Sequence, residues 1–448
     1  MESSKMERNA EEQSPLLERK ISTSTKIAYA LGHIFNDLTA AMWFSYTLIY
    51  FQRVVLLEPI VAGGLLLLGQ IIDAFMTPVF GVLVDRYLKK KIWHIIGSVM
   101  VTLSFPVIFG GFNKSSHVSI MLLYVASIAV FQTGWAAVQI SHLSMIPALT
   151  NSLLARADLT AIRYSAQVGS AVAVFIVTWI VLPTDEEAMG RLVEEDSYKF
   201  RNIVLTLTSI GLMATILFHV FLKENLLEDF ESHKGNIEEA RRLFDSSQSS
   251  RTSLVGTTIL LRVAMLYVAS RLFITLATVY LPLYIEETDI DGKEALATVP
   301  LASYVSSFVA ALLLKYINKS CGTKVCYFLG TLIGIISAAV TEYGGTSKAI
   351  LYIVAILIGS ASSITMVTAL SVTAEIIGPR TERSAIVYSI VTFFDKVVTG
   401  LVVIFIEKLR CTQPTYCPNY NRDTLTLVCV LSMLLGLVTL FSVSRCLN

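Results

Sequence analysis

Charge is what this chain has least of. Only 15% of its 448 residues are Asp, Glu, Lys or Arg, against about 25% in an average soluble protein. Neither sign dominates, since 35 Lys plus Arg face 34 Asp plus Glu. Without a basic excess or block, nucleic acid is excluded as a partner. Cysteine is also scarce, six in the whole chain, which excludes a small secreted fold stapled by disulfides. No cysteine stands at metal-ligand spacing from a histidine. A nucleophile–base motif and a phosphate-binding glycine loop are likewise missing. The chain is therefore expected to use no metal or other cofactor and to be no enzyme.

What abounds is apolar surface. Hydrophobic residues make up 54% of the chain, too many for a disordered protein. A helix that crosses a bilayer takes ~20 mostly apolar residues. Such runs fall at about 26–50, 60–84, 92–111, 118–146, 158–183 and 199–222. A second set falls at 254–284, 296–317, 323–343, 347–376, 382–407 and 424–446. The expectation is an all-α polytopic membrane protein with twelve transmembrane helices in two pseudo-symmetric six-helix halves, 26–222 and 254–448. Residues 1–25 read as a polar tail and 223–253 as a solvated linker. The tail has no apolar stretch, so the first span is expected to act as an uncleaved anchor.

Basic residues set the orientation. With the N-terminus in the cytoplasm, Lys and Arg favour the cytoplasmic segments by about two to one, so both termini are expected there. Asn113-Lys114-Ser115 then becomes a lumenal N-glycosylation acceptor. Cys411 and Cys417 share a lumenal loop, where they either pair as a disulfide or stay as thiols.

A short repeat marks the halves. Arg156 to Ser165 (RADLTAIRYS) returns as Arg380 to Ser389 (RTERSAIVYS), half the chain later, each copy opening a span. Arg163 in the first copy corresponds to Val387, and Lys396 beyond the second corresponds to Val172. A substrate is not symmetric, so this asymmetry favours a functional use of Arg163 and Lys396.

Ionisable side chains within a span are costly and usually face a cavity or a partner. Those within the predicted spans are Asp37, Asp73, Arg163, Arg262, Arg271, Glu375, Asp395 and Lys396. His33 shares a helix face with Asp37. Gln70, Asp73 and Thr77 form a polar stripe able to hold a cation or proton. Tyr388, Thr392, Lys396 and Thr399 step along one face of span eleven, while Asp395 points about 100° away, suited to a packing pair. Gln132, Gln139 and His142 on span four are further candidates, His142 as a proton relay. At the end of span two, Gly81 allows close helix approach, and Asp85 and Arg86 open a basic loop.

These segments together carry a resemblance. His33-Ile-Phe-Asn36-Asp37, Gln70-Ile-Ile-Asp73-x3-Thr77-Pro78, Gly81-x3-Asp85-Arg86, Ser144-Met-Ile-Pro147-x-Leu-Thr150 and Ala385-Ile-Val-Tyr388-x4-Phe393-Phe-x-Lys396-x3-Gly400 resemble the glycoside–pentoside–hexuronide:cation symporter branch of the major facilitator superfamily. The resemblance implies a substrate site between the halves near the midplane. It implies substrate contacts at Asp37 and Arg163; Lys396, Gln139, His142 and Tyr388, from their places on polar helix faces, are further candidates for substrate binding. Asp73, with Gln70 and Thr77, would hold a coupling ion, Lys396 would link the halves, and Gly81, Asp85 and Arg86 would gate the switch. Sodium-coupled members carry a second carboxylate where Thr77 stands, so a proton or plain facilitation is expected instead.

Gly32-His33, Asn36-Asp37, Trp43-Phe44-x-Tyr46 and Gly63-Gly64-x4-Gly69-Gln70 are most similar to the animal major facilitator superfamily domain-containing protein twelve group. That likeness implies import of cysteine into lysosomes and melanosomes, with lysophospholipid, sugar or a non-transporting receptor as alternatives. Glu12-Gln-Ser-Pro-Leu16-Leu17 fits an acidic dileucine sorting signal, which implies a clathrin adaptor as partner.

Overall fold

The computed structural model describes residues 21–87, 89–111, 117–150, 153–182, 191–222, 254–290, 292–377, 384–410 and 417–444. Glu12, Leu16, Leu17, the 223–253 linker, Asn113 and Cys411 lie outside them, and so do the side chains of Asp85, Glu375, Tyr388 and Thr392.

Twelve long helices stand among the described residues, in the places the apolar runs predict, and no strand does. The first half contains α1 (Thr23–Ile49), α2 (Pro59–Arg86), α3 (Lys90–Ile108), α4 (His117–Leu143), α5 (Leu153–Val181) and α6 (Ser197–Phe221). The second contains α7 (Leu254–Thr288), α8 (Gly292–Cys321), α9 (Thr323–Tyr343), α10 (Lys348–Ile377), α11 (Ser384–Lys408) and α12 (Tyr420–Ser444). Local chemistry explains several ends. The Ser22 hydroxyl accepts from the Thr25 amide at 3.2 Å and caps α1. Pro59 opens α2, where its missing N–H costs nothing. α1 runs on into a π-helical turn, Tyr50–Val54.

Among the described residues, ten helices are long and apolar enough to cross a membrane. The other two, α1 and α11, carry Asp37 and the pair Asp395–Lys396. Many hydroxyls elsewhere bond inside their own helices, as Thr133 donates to the Ala129 carbonyl and Thr365 to that of Ala361, each at 2.8 Å. Such bonds let polar residues sit in lipid without a partner helix.

Within the first half, α1 packs on α5 and α6, and α4 on α2 and α3. Within the second, α10 packs on α8 and α9, and α12 on α7 and α9. Three pairs join the halves: α2 with α11, α5 with α8, and α1 with α7. A shift of six helices exchanges the first two pairs and returns the third to itself, which is a pseudo-twofold relationship. Gly400 brings α11 close to α2, since a Cβ there would lie 2.6 Å from Leu67 Cδ1. Gly81 behaves differently from its sequence expectation. A Cβ at Gly81 meets nothing within 4 Å, so this glycine is not a close-packing point; α3 and α4 pack instead on its neighbour Phe80, through Trp93 and Ala136.

The main hydrophobic cluster gathers Trp43, Tyr46, Phe51, Phe105, Phe175 and Phe200 with Phe273, Tyr280 and Tyr284 of the second half. It fills the end of the bundle away from the N-terminus. Leu103, Val118, Ile180 and Val438 are exposed, in keeping with an outer surface solvated by lipid.

Candidate functional site

Between α2 and α11 the halves meet in a buried ion pair. Lys396 Nζ lies 2.5 Å from Asp73 Oδ2. It also donates to the Thr77 hydroxyl at 3.1 Å, and that hydroxyl donates in turn to the Asp73 carbonyl at 2.8 Å. Lys396 Nζ stands 5.5 Å from the centre of the Trp135 ring, a cation–π contact from α4. Gln70 is buried one turn from Asp73, beside Gly400. Asp73 and Gln132 also border a cavity of roughly 200 Å³ walled by Trp43, Phe131 and Trp135. One turn of chemistry away, Arg271 of α7 holds Asp395 at 3.3 Å, and Thr399 reaches the other carboxylate oxygen at 3.5 Å. Adjacent charges on α11 thus serve different partners, Asp395 inside its own half and Lys396 across the interface.

The second centre lies on α1 and α5. His33 Nδ1 donates to Asp37 Oδ1 at 2.9 Å. That fixes its tautomer, leaving His33 Nε2 to accept from Arg163 Nη2 at 3.0 Å. Asp37 and Arg163 therefore flank one imidazole and do not pair directly. Asp37 Oδ2 and Arg163 Nε are buried and have no hydrogen-bond partner among the described residues. His142 stacks on Tyr29 with ring centres 4.1 Å apart and bonds the Tyr29 carbonyl at 2.7 Å. Gln139, one turn earlier on α4, has a buried Oε1 without a partner among the described residues.

The two centres are connected. Trp135 Nε1 donates to the Asn36 carbonyl at 3.2 Å, and Asn36 Nδ2 returns to the Trp135 carbonyl at 3.4 Å. Trp135 thus ties the residue beside Asp37 to the ring over Lys396. Among α7, α8 and α10 of the second half lies an open pocket, with Ser45 of α1 at its edge; apolar Ile274, Leu281 and Ile358 line it together with Thr278, Ser303 and Tyr304.

A third set of contacts closes the bundle at the end away from the N-terminus. Arg53 pairs with Glu286 at 2.5 Å. Gln52 and Tyr280 donate to the two oxygens of Glu407 at 2.8 and 2.9 Å, and Arg410 adds a bond at 2.7 Å. Asp196 takes Lys293 from the other half at 2.7 Å and Lys199 from its own at 3.2 Å. The Tyr46 hydroxyl donates to the Leu296 carbonyl at 2.9 Å. Sequence reasoning missed this latch. Its residues fall at span ends, where charges read as solvated, and its partners are hundreds of positions apart. A usable signal was Asp196 and Lys199 one helical turn apart at a span entrance.

Residues 28–444 match the family model of MFS/sugar transport proteins. The chain is 34% identical over 424 residues to human major facilitator superfamily domain-containing protein 12, covering 89% of this chain and 88% of that one. The horse protein of the same name is 34% identical over 425 residues with the same coverage. Among solved structures, a D-xylose–proton symporter superposes with a TM-score of 0.71 at 14% identity, covering 92% of this chain and 96% of that one. That last likeness shows the fold alone. The helix plan, the interface between halves and these matches agree: the chain is a multi-pass membrane transporter and belongs to the MFS/sugar transport protein family of the major facilitator superfamily.

Proposed function

We propose that the protein moves a small zwitterionic amino acid, cysteine foremost, across the membrane of lysosome- or melanosome-type organelles by alternating access. One observation carries the substrate class. Asp37 and Arg163 each present a buried polar atom without a partner among the described residues, one an oxygen of a carboxylate and the other an N–H of a guanidinium, on opposite sides of His33. An ammonium near Asp37 and a carboxylate near Arg163 satisfy both. Burying either charge of the ligand alone is expensive, so a zwitterion fits where a neutral or singly charged solute does not. Arg163 can grip a carboxylate through two N–H groups, which a lysine cannot.

In this reading Asp73 and Lys396 act as the central tie between halves, releasing and reforming as the halves rock. With the termini in the cytoplasm, the Glu286, Glu407 and Asp196 latch is the lumenal gate, shut while the cytoplasmic side receives substrate. Coupling runs through protons, since Thr77 occupies the place where a sodium ligand would stand. The tail signal Glu12, Leu16 and Leu17 delivers the protein to its organelle through a clathrin adaptor.

Hydroxyl groups favour a second reading. Thr278, Ser303, Tyr304 and Ser362, with Ser45 of α1, border the open pocket among α7, α8 and α10, and hydroxyls so placed also suit a sugar. Radiolabelled uptake separates the two. Proteoliposomes holding the full-length protein take up cysteine and not pentose or hexose if the first reading holds, and the reverse pattern replaces it.

A further inference from the structure

The chain has only six histidines, yet four of them gather in one place. His33 lies on α1, His94 on α3, His142 on α4 and His219 on α6. His94 Nδ1 and His219 Nε2 are 3.1 Å apart. His94 Nε2 lies 2.7 Å from the Gly32 carbonyl, which can only accept, so His94 carries its proton on Nε2 and accepts from His219 at Nδ1. The His94 and His142 ring centres are 6.1 Å apart, and those of His142 and His33 are 5.2 Å apart. His142 is fully buried, and its Nδ1 has no partner among the described residues. His33 ends the series on Asp37. His219 is half-buried, one turn from the end of α6, so the series runs from the terminus-bearing end of the bundle inward.

Packing around the rings is specific. A Cβ on Gly32 would stand 2.7 Å from the Phe218 ring and 2.8 Å from His142 Cδ2. The absent side chain therefore lets α1 lie close against α6 and α4, two of the other histidine-bearing helices. The charged and titratable groups facing the rings are few. Lys91 of α3 binds the carbonyls of His219 and Leu222. Tyr29 and Asp37 come from α1, and Arg163 from α5.

We propose that His219, His94, His142 and His33 form a proton-transfer path between the cytoplasmic end of the bundle and Asp37. Each imidazole takes a proton on one nitrogen and gives one from the other, so the transfers balance. His219 Nε2 passes its proton to His94 Nδ1. His94 swings away from the Gly32 carbonyl and gives its Nε2 proton to His142 Nδ1. His142 gives its Nε2 proton to His33 Nε2, and His33 gives its Nδ1 proton to Asp37. The reverse order discharges Asp37. Arg163 controls the last step, because it occupies His33 Nε2 and its charge opposes an imidazolium there. A substrate carboxylate that draws Arg163 aside opens that nitrogen, which links substrate arrival to proton movement. This path rests on the transport role proposed for Asp37, but it can be tested without a substrate.

The test uses the full-length protein labelled with 15N-histidine in lipid nanodiscs, following exchange of the His33 imidazole N–H with bulk water. His94→Gln and, separately, the half-buried His219→Gln are expected to slow that exchange at least ten-fold while the His33 chemical shift stays in place, which reports intact packing. Unchanged exchange in both variants overturns the path. In proteoliposomes, radiolabelled cysteine counterflow needs no net proton movement and is expected to survive in both variants, while uptake driven by a pH gradient falls about ten-fold. Equal loss of counterflow and driven uptake also overturns the path. Absence of cysteine counterflow from the unmodified protein removes cysteine as substrate and leaves the exchange result to decide the path.

Discussion

Lys396 of α11 and Asp73 of α2 meet at 2.5 Å near the middle of their helices, each almost wholly buried, and they belong to opposite halves of the transporter. A buried pair contributes little net stability, but removing one partner strands a charge and costs about 3–5 kcal/mol. Lys396→Ala is therefore expected to lower the melting temperature and abolish uptake. The double variant Asp73→Asn with Lys396→Met removes both charges and should recover most of the melting temperature without recovering transport. A double variant that transports normally would remove the tie from the mechanism.

The latch gives a conformational prediction. Glu407 accepts from Gln52 across the interface and from Tyr280 and Arg410 within its own half. Glu407→Ala leaves these donors without their acceptor, and a lost bond to a charged group is worth about 1.5–3 kcal/mol. The population should shift toward the state open at the far end. Spin labels on the ends of α1 and α7 are expected to report longer distances in the variant. Unchanged distances would show that the hydrophobic cluster alone closes that end.

Gly32 tests the packing beneath the histidines. With Phe218 and His142 standing 2.7–2.8 Å from where a Cβ would be, Gly32→Val overpacks the site. Overpacking costs roughly 1–3 kcal/mol, measurable as a lower melting temperature in detergent. Gly81→Ala, by contrast, meets open space, and its melting temperature should not fall.

The sorting role proposed for the tail gives a prediction independent of transport. Leu16→Ala with Leu17→Ala is expected to move the protein from endolysosomal membranes to the cell surface, seen by surface biotinylation, with transport activity retained. Retention inside the cell would assign sorting to another segment.

Much of the fold was legible because lipid simplifies the grammar: a run of apolar residues long enough to cross the bilayer has to be a helix. The ends were less legible. The seventh span reads to about residue 284 from its apolar pattern, yet α7 continues to Thr288, because Glu286 is neutralised by Arg53 from the other half. Asp37, Asp73, Arg163 and Lys396 stood out because each is a charge where charge is costly. Their partnerships did not. The sequence allows Arg163 or Lys396 as the partner that neutralises Asp37 or Asp73 and turns Asp395 away from Lys396, but it does not choose Lys396 for Asp73 or Arg271 for Asp395. That choice follows from helix rotation, with neighbouring side chains about 100° apart and only one of them facing α2. His94 and His219 were invisible for a related reason. Each is a single histidine near a helix end, and only the packing of α3 against α6 brings them together.

The central claim is that Asp37 and Arg163 hold the two charges of a zwitterion. The most direct measurement is radiolabelled cysteine counterflow into proteoliposomes, comparing the unmodified protein with Asp37→Asn, which keeps shape and a hydrogen bond but removes the charge. The account predicts robust counterflow in the first and loss of at least ten-fold in the second, with both proteins folded to the same melting temperature within a few degrees. Normal counterflow in Asp37→Asn would contradict it.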